Sequence, residues 1–209
     1  LAAIGPGLGI GLVVGNAKQA AVYYQERFGF APTAYRGLET GRRDVCSHVM
    51  KQGKVLLVLE TPLVPDHPHN GHLARHGDAV QDIAFRVDDA RLAWETTTAR
   101  GAVSVSEPET LEDEHGTAVV ATIATYGDPT HTFVQRDGYA GPFLPGYAEH
   151  PNPGATESAG LEFIDHIVGN QGDGEMEAVA QWYENVFGFH RIGTVDDKDV
   201  STEYTSLRS

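Results

Sequence analysis

The sequence predicts an α+β fold made of tandem β-α-β-β-β units. A pattern of one strand, one helix and three strands occupies residues 11–60, the same pattern recurs over 80–136, and a third copy begins at 161. Internal repetition at this length is stronger evidence about architecture than the local propensity of any single segment.

The first unit opens with a short β-branched strand at 11–14, which ends in a Gly-Asn turn. Apolar residues then recur at helical spacing over 17–28, and Gly29 stands where a C-cap glycine belongs. A Gln-Gly pair marks a tight turn between the last two strands of the unit. The three predicted strands are 31–36, 45–51 and 54–60.

The second unit follows a loop at 62–77 that is rich in Pro, His and Gly, in which one turn of helix is expected around 72–75. A helix is predicted at 90–100, because Asp88 and Asp89 stand just before it and short acidic side chains cap helix N-termini. An acidic hairpin turn is expected at 111–116. The predicted strands are 80–87, 103–106, 117–125 and 130–136.

The third unit is separated from the second by residues 138–160, which hold five Gly and four Pro without any periodic pattern. Val-Gly-Asn at 168–170 repeats Val-Gly-Asn at 14–16, and an aromatic-rich helix end at 182–189 repeats the one at 23–30. We interpret the chain as a complete first domain (1–137), a linker (138–160) and the truncated start of a second domain (161–209). The third unit's predicted strands are 161–170, 189–193 and 201–208.

Composition excludes several function classes. A net charge of −14 argues against a nucleic-acid surface, which needs an excess of Lys and Arg. The sequence holds no apolar run near the roughly 20 residues that span a bilayer, so we expect no membrane partner. The single cysteine, Cys46, excludes an internal disulfide and fits a reducing compartment, so we expect a cytoplasmic location.

Several longer motifs carry a resemblance. Paired β-α-β-β-β units resemble the vicinal oxygen chelate superfamily, in which two units form a cupped half-barrel around a divalent metal. Within it, Tyr-Arg-Gly-Leu-Glu-Thr-Gly at 35–41, Ile-Asp-His-Ile-Val-Gly-Asn-Gln at 164–171 and Thr-Glu-Tyr-Thr-Ser-Leu-Arg-Ser at 202–209 resemble the 4-hydroxyphenylpyruvate dioxygenase family. The resemblance runs from about Val13 to the last residue.

The resemblance implies an Fe(II) enzyme that converts 4-hydroxyphenylpyruvate, a small aromatic 2-oxo acid, and O2 to homogentisate and CO2 in tyrosine catabolism, as a homo-oligomer when full length. A 2-His-1-carboxylate triad leaves open positions on iron for the 2-oxo acid and O2. His166 matches the first iron ligand, Val168 a residue lining the pocket, and Ser209 a serine close to the substrate. The other two ligands match no residue here, so the chain alone is expected to be inactive.

Alternative interpretations remain open at this point. A lone histidine on a strand is usually a core or edge residue, and only the surrounding motif favours a ligand role for His166. Hydroxymandelate synthase uses the same substrate and triad, and a non-catalytic domain fragment or a binding module of the bleomycin-resistance kind would share the fold. Aligned on Val-Gly-Asn, His166 falls opposite Leu12, and Asp82 occupies the second histidine's place, so the first domain is expected to bind no metal.

The other histidines are not expected to bind a metal ion. Four of them crowd the loop before the second unit and mimic a zinc site, but no cysteine lies nearby. His131, in a strand of the metal-free half, is expected to make structural hydrogen bonds.

Overall fold

Two copies of one strand order meet in the middle of a nine-stranded sheet. The computed structural model describes residues 8–154 and 157–193. Its strands are β1 (Leu8–Val13), β2 (Ala31–Arg36), β3 (Val45–Gln52), β4 (Val55–Pro62), β5 (Ala79–Arg86), β6 (Ser104–Asp113), β7 (Gly116–Ala124), β8 (Thr130–Gln135) and β9 (Ala148–Glu149). Its α-helices are α1 (Ala17–Phe28), α2 (Pro68–His76), α3 (Ala90–Ala99) and α4 (Met176–Phe187).

The strand order is β6-β7-β8-β5-β1-β4-β3-β2-β9. Read outward from the centre, β1-β4-β3-β2 repeats as β5-β8-β7-β6, with β1 and β5 antiparallel where the two units meet. Each unit closes with a parallel pair, β1 with β4 and β5 with β8. The predicted α+β fold of tandem β-α-β-β-β units is confirmed.

Helices α1 and α3 cover one face of the sheet, whereas α2 lines the concave opposite face. Under α1, a core cluster includes Ile10, Leu57, Leu59 and Ile83, all alternate residues on the helix side of their strands. A second cluster under α3 includes Ala93, Ile123 and Phe133. The sheet face opposite these clusters curls around a cavity, called here the cup, whose lining residues come from β1 to β8 and from the 142–147 loop.

The predicted helix ends are confirmed by their caps. The Asn16 side chain accepts a hydrogen bond from the backbone N–H of Gln19, and Gly29 ends α1 at φ 72°. The Asp89 carboxylate accepts from the Leu92 N–H at 2.9 Å at the start of α3. These short-range signals are reliable because a cap needs only its own turn of chain.

Three predictions within residues 62–160 were wrong in part. The loop at 62–77 contains a nine-residue helix, α2, which begins with Pro68 at its first turn and His67 as N-cap. The expected turn at 111–116 is shorter, because β6 continues to Asp113 and pairs with Gly116. The expected linker adds a strand, since β9 pairs with the outer strand β2.

The strand predicted at 161–170 was also wrong, because this stretch has no regular secondary structure. Its alternating pattern suits a strand, but both edges of the described sheet, β6 and β9, lie elsewhere. Instead the backbone N–H of Leu161 donates to the Gln52 side chain at 2.7 Å, and the Lys54 N–H donates to the Glu162 carbonyl at 2.6 Å. Ile164 packs against the core cluster under α1.

The rest of the third unit gives a mixed result. Its helix is confirmed as α4, which ends at Gly188 with φ 71°. The strand predicted at 189–193 was wrong, since these residues are irregular without a strand partner, and the one predicted at 201–208 lies outside the described residues. Helix α4 packs beside α3, where Arg100 donates from Nη1 to the Val186 carbonyl at 3.2 Å.

Candidate functional site

The predicted ligand His166 lies in the irregular stretch before α4. Its side chain is 75% exposed, and its Nδ1 lies 2.7 Å from Oδ2 of Asp165. A carboxylate oxygen accepts, so Nδ1 donates, and in the neutral ring this tautomer leaves Nε2 as the acceptor. Metal-binding histidines commonly have this arrangement, in which a carboxylate fixes the tautomer and leaves the other nitrogen for the metal.

A single imidazole does not make a metal centre. Among residues 8–154 and 157–193, no three His, Cys, Asp or Glu side chains come close enough together to hold an ion. The donor chemistry of His166 thus fits Fe(II), whereas the rest of a three-ligand set is not found in the part of the chain that the structure describes.

The two other predicted site residues are not brought to His166 by this structure. Val168 is 78% exposed, and because the stretch is not a strand, its predicted position on the face of His166 does not follow from strand geometry. Ser209 lies outside the described residues. Close by, Gly169 lies against the Tyr126 hydroxyl, where an added Cβ atom would clash.

The cup of the first two units is a separate site with a cavity of about 1040 Å³. That volume lies at the upper end of the range for small-molecule pockets. Leu12, the residue aligned with His166, follows a bulge in β1 and lines this cavity. Asp82 on β5 pairs with Gly11, the residue before Leu12.

Asp82 is a carboxyl group held by two hydroxyls on the cup floor. Thr130 and Thr132 donate from Oγ1 to its Oδ1 at 2.6 and 2.9 Å. Burial raises the pKa of Asp82 to about 6, against the effect of these two bonds, which lower it. The group therefore changes charge just below neutral pH.

Glu60 lies farther along the cup and is fully engaged. Its carboxylate accepts from Ser47, and its two oxygens lie 3.2 Å from Nε2 of His69 and 3.5 Å from Nη2 of Arg36. Burial alone would raise its pKa, but these neighbours lower it below the usual range. The period-two alternation of β4, with Leu56, Val58 and Glu60 on one face, is the sequence signal that could have found it.

His131 makes the structural hydrogen bonds expected of it. Its Nδ1 lies 2.9 Å from the Ile83 carbonyl and its Nε2 lies 2.9 Å from the Tyr183 hydroxyl. A carbonyl can only accept, so Nδ1 donates and Nε2 accepts from the tyrosine. This pair ties α4 to the sheet of the first two units.

Known proteins share this architecture and this sequence. Residues 9–120 match the model of the Glyoxalase/Bleomycin resistance protein/Dioxygenase superfamily, which is more than half of the chain. The chain belongs to this superfamily. Among solved structures, methylmalonyl-CoA epimerase from Mycobacterium tuberculosis matches 65% of the chain and 92% of its own, with a TM-score of 0.53 and 17% identity, which shows the fold alone.

Curated relatives within the superfamily are more similar. The chain is 50% identical over 202 residues to the 4-hydroxyphenylpyruvate dioxygenases of Dictyostelium discoideum and Xenopus tropicalis, covering 94% of this chain and 55% and 51% of those proteins. The chain thus spans about half the length of these relatives. A triple mutant of 4-hydroxymandelate synthase from Streptomyces coelicolor is 26% identical with a TM-score of 0.80, covering 95% of this chain and 56% of that one.

Proposed function

We propose that this chain works as part of a 4-hydroxyphenylpyruvate dioxygenase, which uses Fe(II) and O2 to convert 4-hydroxyphenylpyruvate to homogentisate and CO2 in tyrosine catabolism. The observation that carries the proposal is 50% identity to curated dioxygenases over 94% of the chain. Hydroxymandelate synthase is the second candidate, supported by its TM-score of 0.80 but by only 26% identity.

The proposed domains are based on the sequence repeat. Residues 1–137 would form a metal-free first domain, 138–160 a linker, and 161–209 the start of the catalytic domain. Support comes from the paired strand order of the first two units and from the position of His166 beyond them. The proposal does not depend on the secondary structure of 161–170.

His166 would hold Fe(II) through Nε2, and Asp165 would keep the ring in the required tautomer by accepting from Nδ1. When bound, Fe(II) supplies the coordination of the 2-oxo acid and the activation of O2. Val168 and Ser209 would form part of the wall that orients the substrate ring and excludes water.

The proposal also includes a cytoplasmic location and a homo-oligomeric state of the whole protein. Among the helices of the described residues, none is both long and apolar enough to cross a membrane. The free Cys46 thiol, half-buried on β3, agrees with a reducing cytoplasmic location. The whole protein would act on the small aromatic 2-oxo acid and O2 as a homo-oligomer.

The test is His166→Gln in the full-length enzyme, with His190→Gln as the matched control at another exposed histidine. Removing an iron ligand should lower both the iron content per subunit and homogentisate formation, the latter on the order of 100-fold or more. Metal analysis, O2 consumption and product chromatography measure these effects, while His190→Gln should match the wild type.

Three results would contradict parts of this proposal. Full iron content and turnover in His166→Gln would remove His166 from the site. Accumulation of 4-hydroxymandelate in place of homogentisate would favour the second candidate. Turnover by the 209-residue chain alone would show that the site is complete without further residues.

A further inference from the structure

The cup of the first two units has a charge opposite to that of the chain. Seven of the fifteen Lys and Arg line it, against four Asp and Glu, although the net charge of the whole chain is −14. Five of these seven cations are exposed, and Arg36 and Arg136 are partly buried. A cavity with an excess of cations favours an anionic ligand.

Strand register gathers four of these cations at one end of the cup, here called the basic end. In β1, Gly9 pairs with Leu56 and with Ala84. At or just beyond that level lie Lys51, Lys54, Arg86 and Arg136, from β3, the β3–β4 turn, β5 and the residue after β8.

The basic end is short of acidic partners. Among the described residues these four cations form one ion pair, which joins Arg86 and Asp137. The Nε of Arg136 is buried without a hydrogen-bond partner in the described structure, although its Nη2 donates to the Gly141 carbonyl. Burial, together with the nearby Arg86, lowers the pKa of Arg136. An incoming carboxylate would satisfy this donor and relieve the repulsion.

The opposite end, here called the helix end, is closed by α2. His72 of that helix is 4% exposed and lines the cup, and neither of its ring nitrogens has a partner in the described residues. Buried polar atoms without partners are rare, and each one calls for a ligand or a water. Burial lowers the pKa of His72, with the neighbouring His76 adding to the effect, so the neutral ring offers one donor and one acceptor.

At the helix end Arg36 and Arg75 are already paired with Glu60 and Asp128, so Asp82 is the carboxyl group left for a hydroxyl. Asp82 and the threonines that hold it, Thr130 and Thr132, line the cup beside His72's end of the sheet. A ligand hydroxyl can donate to a carboxylate or an imidazole and accept from the other imidazole nitrogen. A second carboxylate on the ligand would be repelled here by Asp82 and Glu60.

Between the two ends, the side walls of the cup are apolar and its floor consists of small residues. Leu56, Val58 and Val134 line the walls, and Phe143 and Leu144 of the crossing loop add to them. The floor is formed by Gly9, Gly11 and Ala84, which leaves room for a ring. Asp82 and Arg86 are four residues apart on one strand, so the two ends are separated by about 13 Å between Cα atoms.

We propose that the cup of the first two units binds a small organic acid with an apolar, hydroxyl-bearing body, of the hydroxyaryl carboxylate class. Its carboxylate lies at the basic end against Arg136, and its hydroxyl lies at the helix end between His72 and Asp82. Every residue involved belongs to 8–154, so the site is independent of His166 and of the proposed dioxygenase activity.

The test is calorimetric titration of the metal-free 209-residue chain with 4-hydroxyphenylacetate. Phenylacetate, which lacks the hydroxyl, and 4-methylphenol, which lacks the carboxylate, are the matched probes. We expect measurable binding of 4-hydroxyphenylacetate and at least about 10-fold weaker binding of both other compounds, since a site built for a polar group rejects analogues without it.

Variants then assign the two ends. Arg136→Gln and His72→Gln should each weaken binding by about 10-fold, whereas Arg91→Gln and His115→Gln, both exposed and outside the cup, should not change it. Thermal melts check that each variant folds. If either cup variant does not fold, amide chemical shifts of the wild-type chain on titration replace it, with changes expected near Gly9, Ala84 and Thr132.

Several results would overturn the proposal. They are no binding at millimolar 4-hydroxyphenylacetate, equal affinity for all three compounds, unchanged affinity in both cup variants, and shift changes confined to other regions. Each would leave the proposed dioxygenase function untouched, because that function is tested through iron and His166.

Discussion

His131 shows how one buried side chain links two regions of the molecule. It is 2% exposed in β8, donates to the Ile83 carbonyl and accepts from Tyr183 of α4. Burial lowers its pKa from 6.5 to about 4, against the bond to the carbonyl, which raises it. Protonation of Nε2 would therefore charge a buried ring and reverse its hydrogen bond to α4, because Tyr183 would have to accept where it now donates.

We predict a stability loss in acid to which this histidine contributes a measurable share. A depressed histidine pKa stabilises the fold fully above the unfolded value of 6.5, and this stability is lost as the pH falls from there towards 4. At pH 5 the loss attributable to His131 is about 2 kcal/mol. Urea unfolding at pH 7 and pH 5 should show a smaller pH effect in His131→Gln than in wild type. An equal effect in both, or a similar reduction in the exposed control His115→Gln, would contradict it.

Individual residues were predictable where a local motif or cap defined their role. Gly29 and Asp89 have the predicted cap positions, because caps depend on neighbouring residues in the chain, whereas Asn16 was predicted only as part of a turn. The role of His72 was not predictable, since its unpartnered nitrogens depend on what β4 and β5 place around it. The ligand role of His166 stays a prediction.

At the level of elements, the stretch before α4 is held by the β3–β4 turn. Gly53 in this turn has φ 55°, and a Cβ there would lie 2.7 Å from the Leu161 carbonyl and 2.8 Å from that of Glu162. The Gln52 side chain accepts from the Leu161 N–H on the same side. The segment at 161–170 has the alternating pattern of a strand. It is thus held by the β3–β4 turn and the Gln52 side chain, and not by hydrogen bonds to a neighbouring strand.

Gly53→Ala should release this segment. The comparison is Gly41→Ala, which has φ 86° and nothing within 4 Å of the added carbon. Both variants pay roughly 1 kcal/mol for a left-handed backbone, but only Gly53→Ala also displaces residues 161 and 162. Hydrogen exchange at 161–164 should accelerate in Gly53→Ala alone. Identical exchange in the two variants would show that the turn does not hold the segment.

At the level of the whole molecule, α4 is attached to the first two units through an aromatic cluster. Phe187 is 3% exposed and its ring lies within 5.6 Å of Phe85 and 5.3 Å of His131 between centroids. Phe133 and Trp182 border the same cluster. The first helix of the third unit is therefore part of the packed body, whereas the residues before it are mostly exposed.

Phe187→Ala should loosen α4 without unfolding the sheet. Removing a buried phenylalanine costs about 3–5 kcal/mol, and this loss falls on the contact between α4 and the second core cluster. Hydrogen exchange in 176–187 should approach that of 161–171, while β1 and β4 stay protected. Phe163→Ala, at a 61% exposed phenylalanine, is the control and should change neither. Uniform loss of protection throughout the sheet would contradict this division.

The sequence by itself determined the repeat and the helix caps at Gly29 and Asp89, because periodicity and capping depend on neighbours along the chain, and its motif predicts His166 as an iron ligand. Only the tertiary structure decided that 161–170 forms no strand, that β9 extends the sheet, and that cations collect at one end of the cup. The physical reason is pairing: a strand needs a partner edge, and a charged cavity needs side chains from strands that lie far apart in sequence.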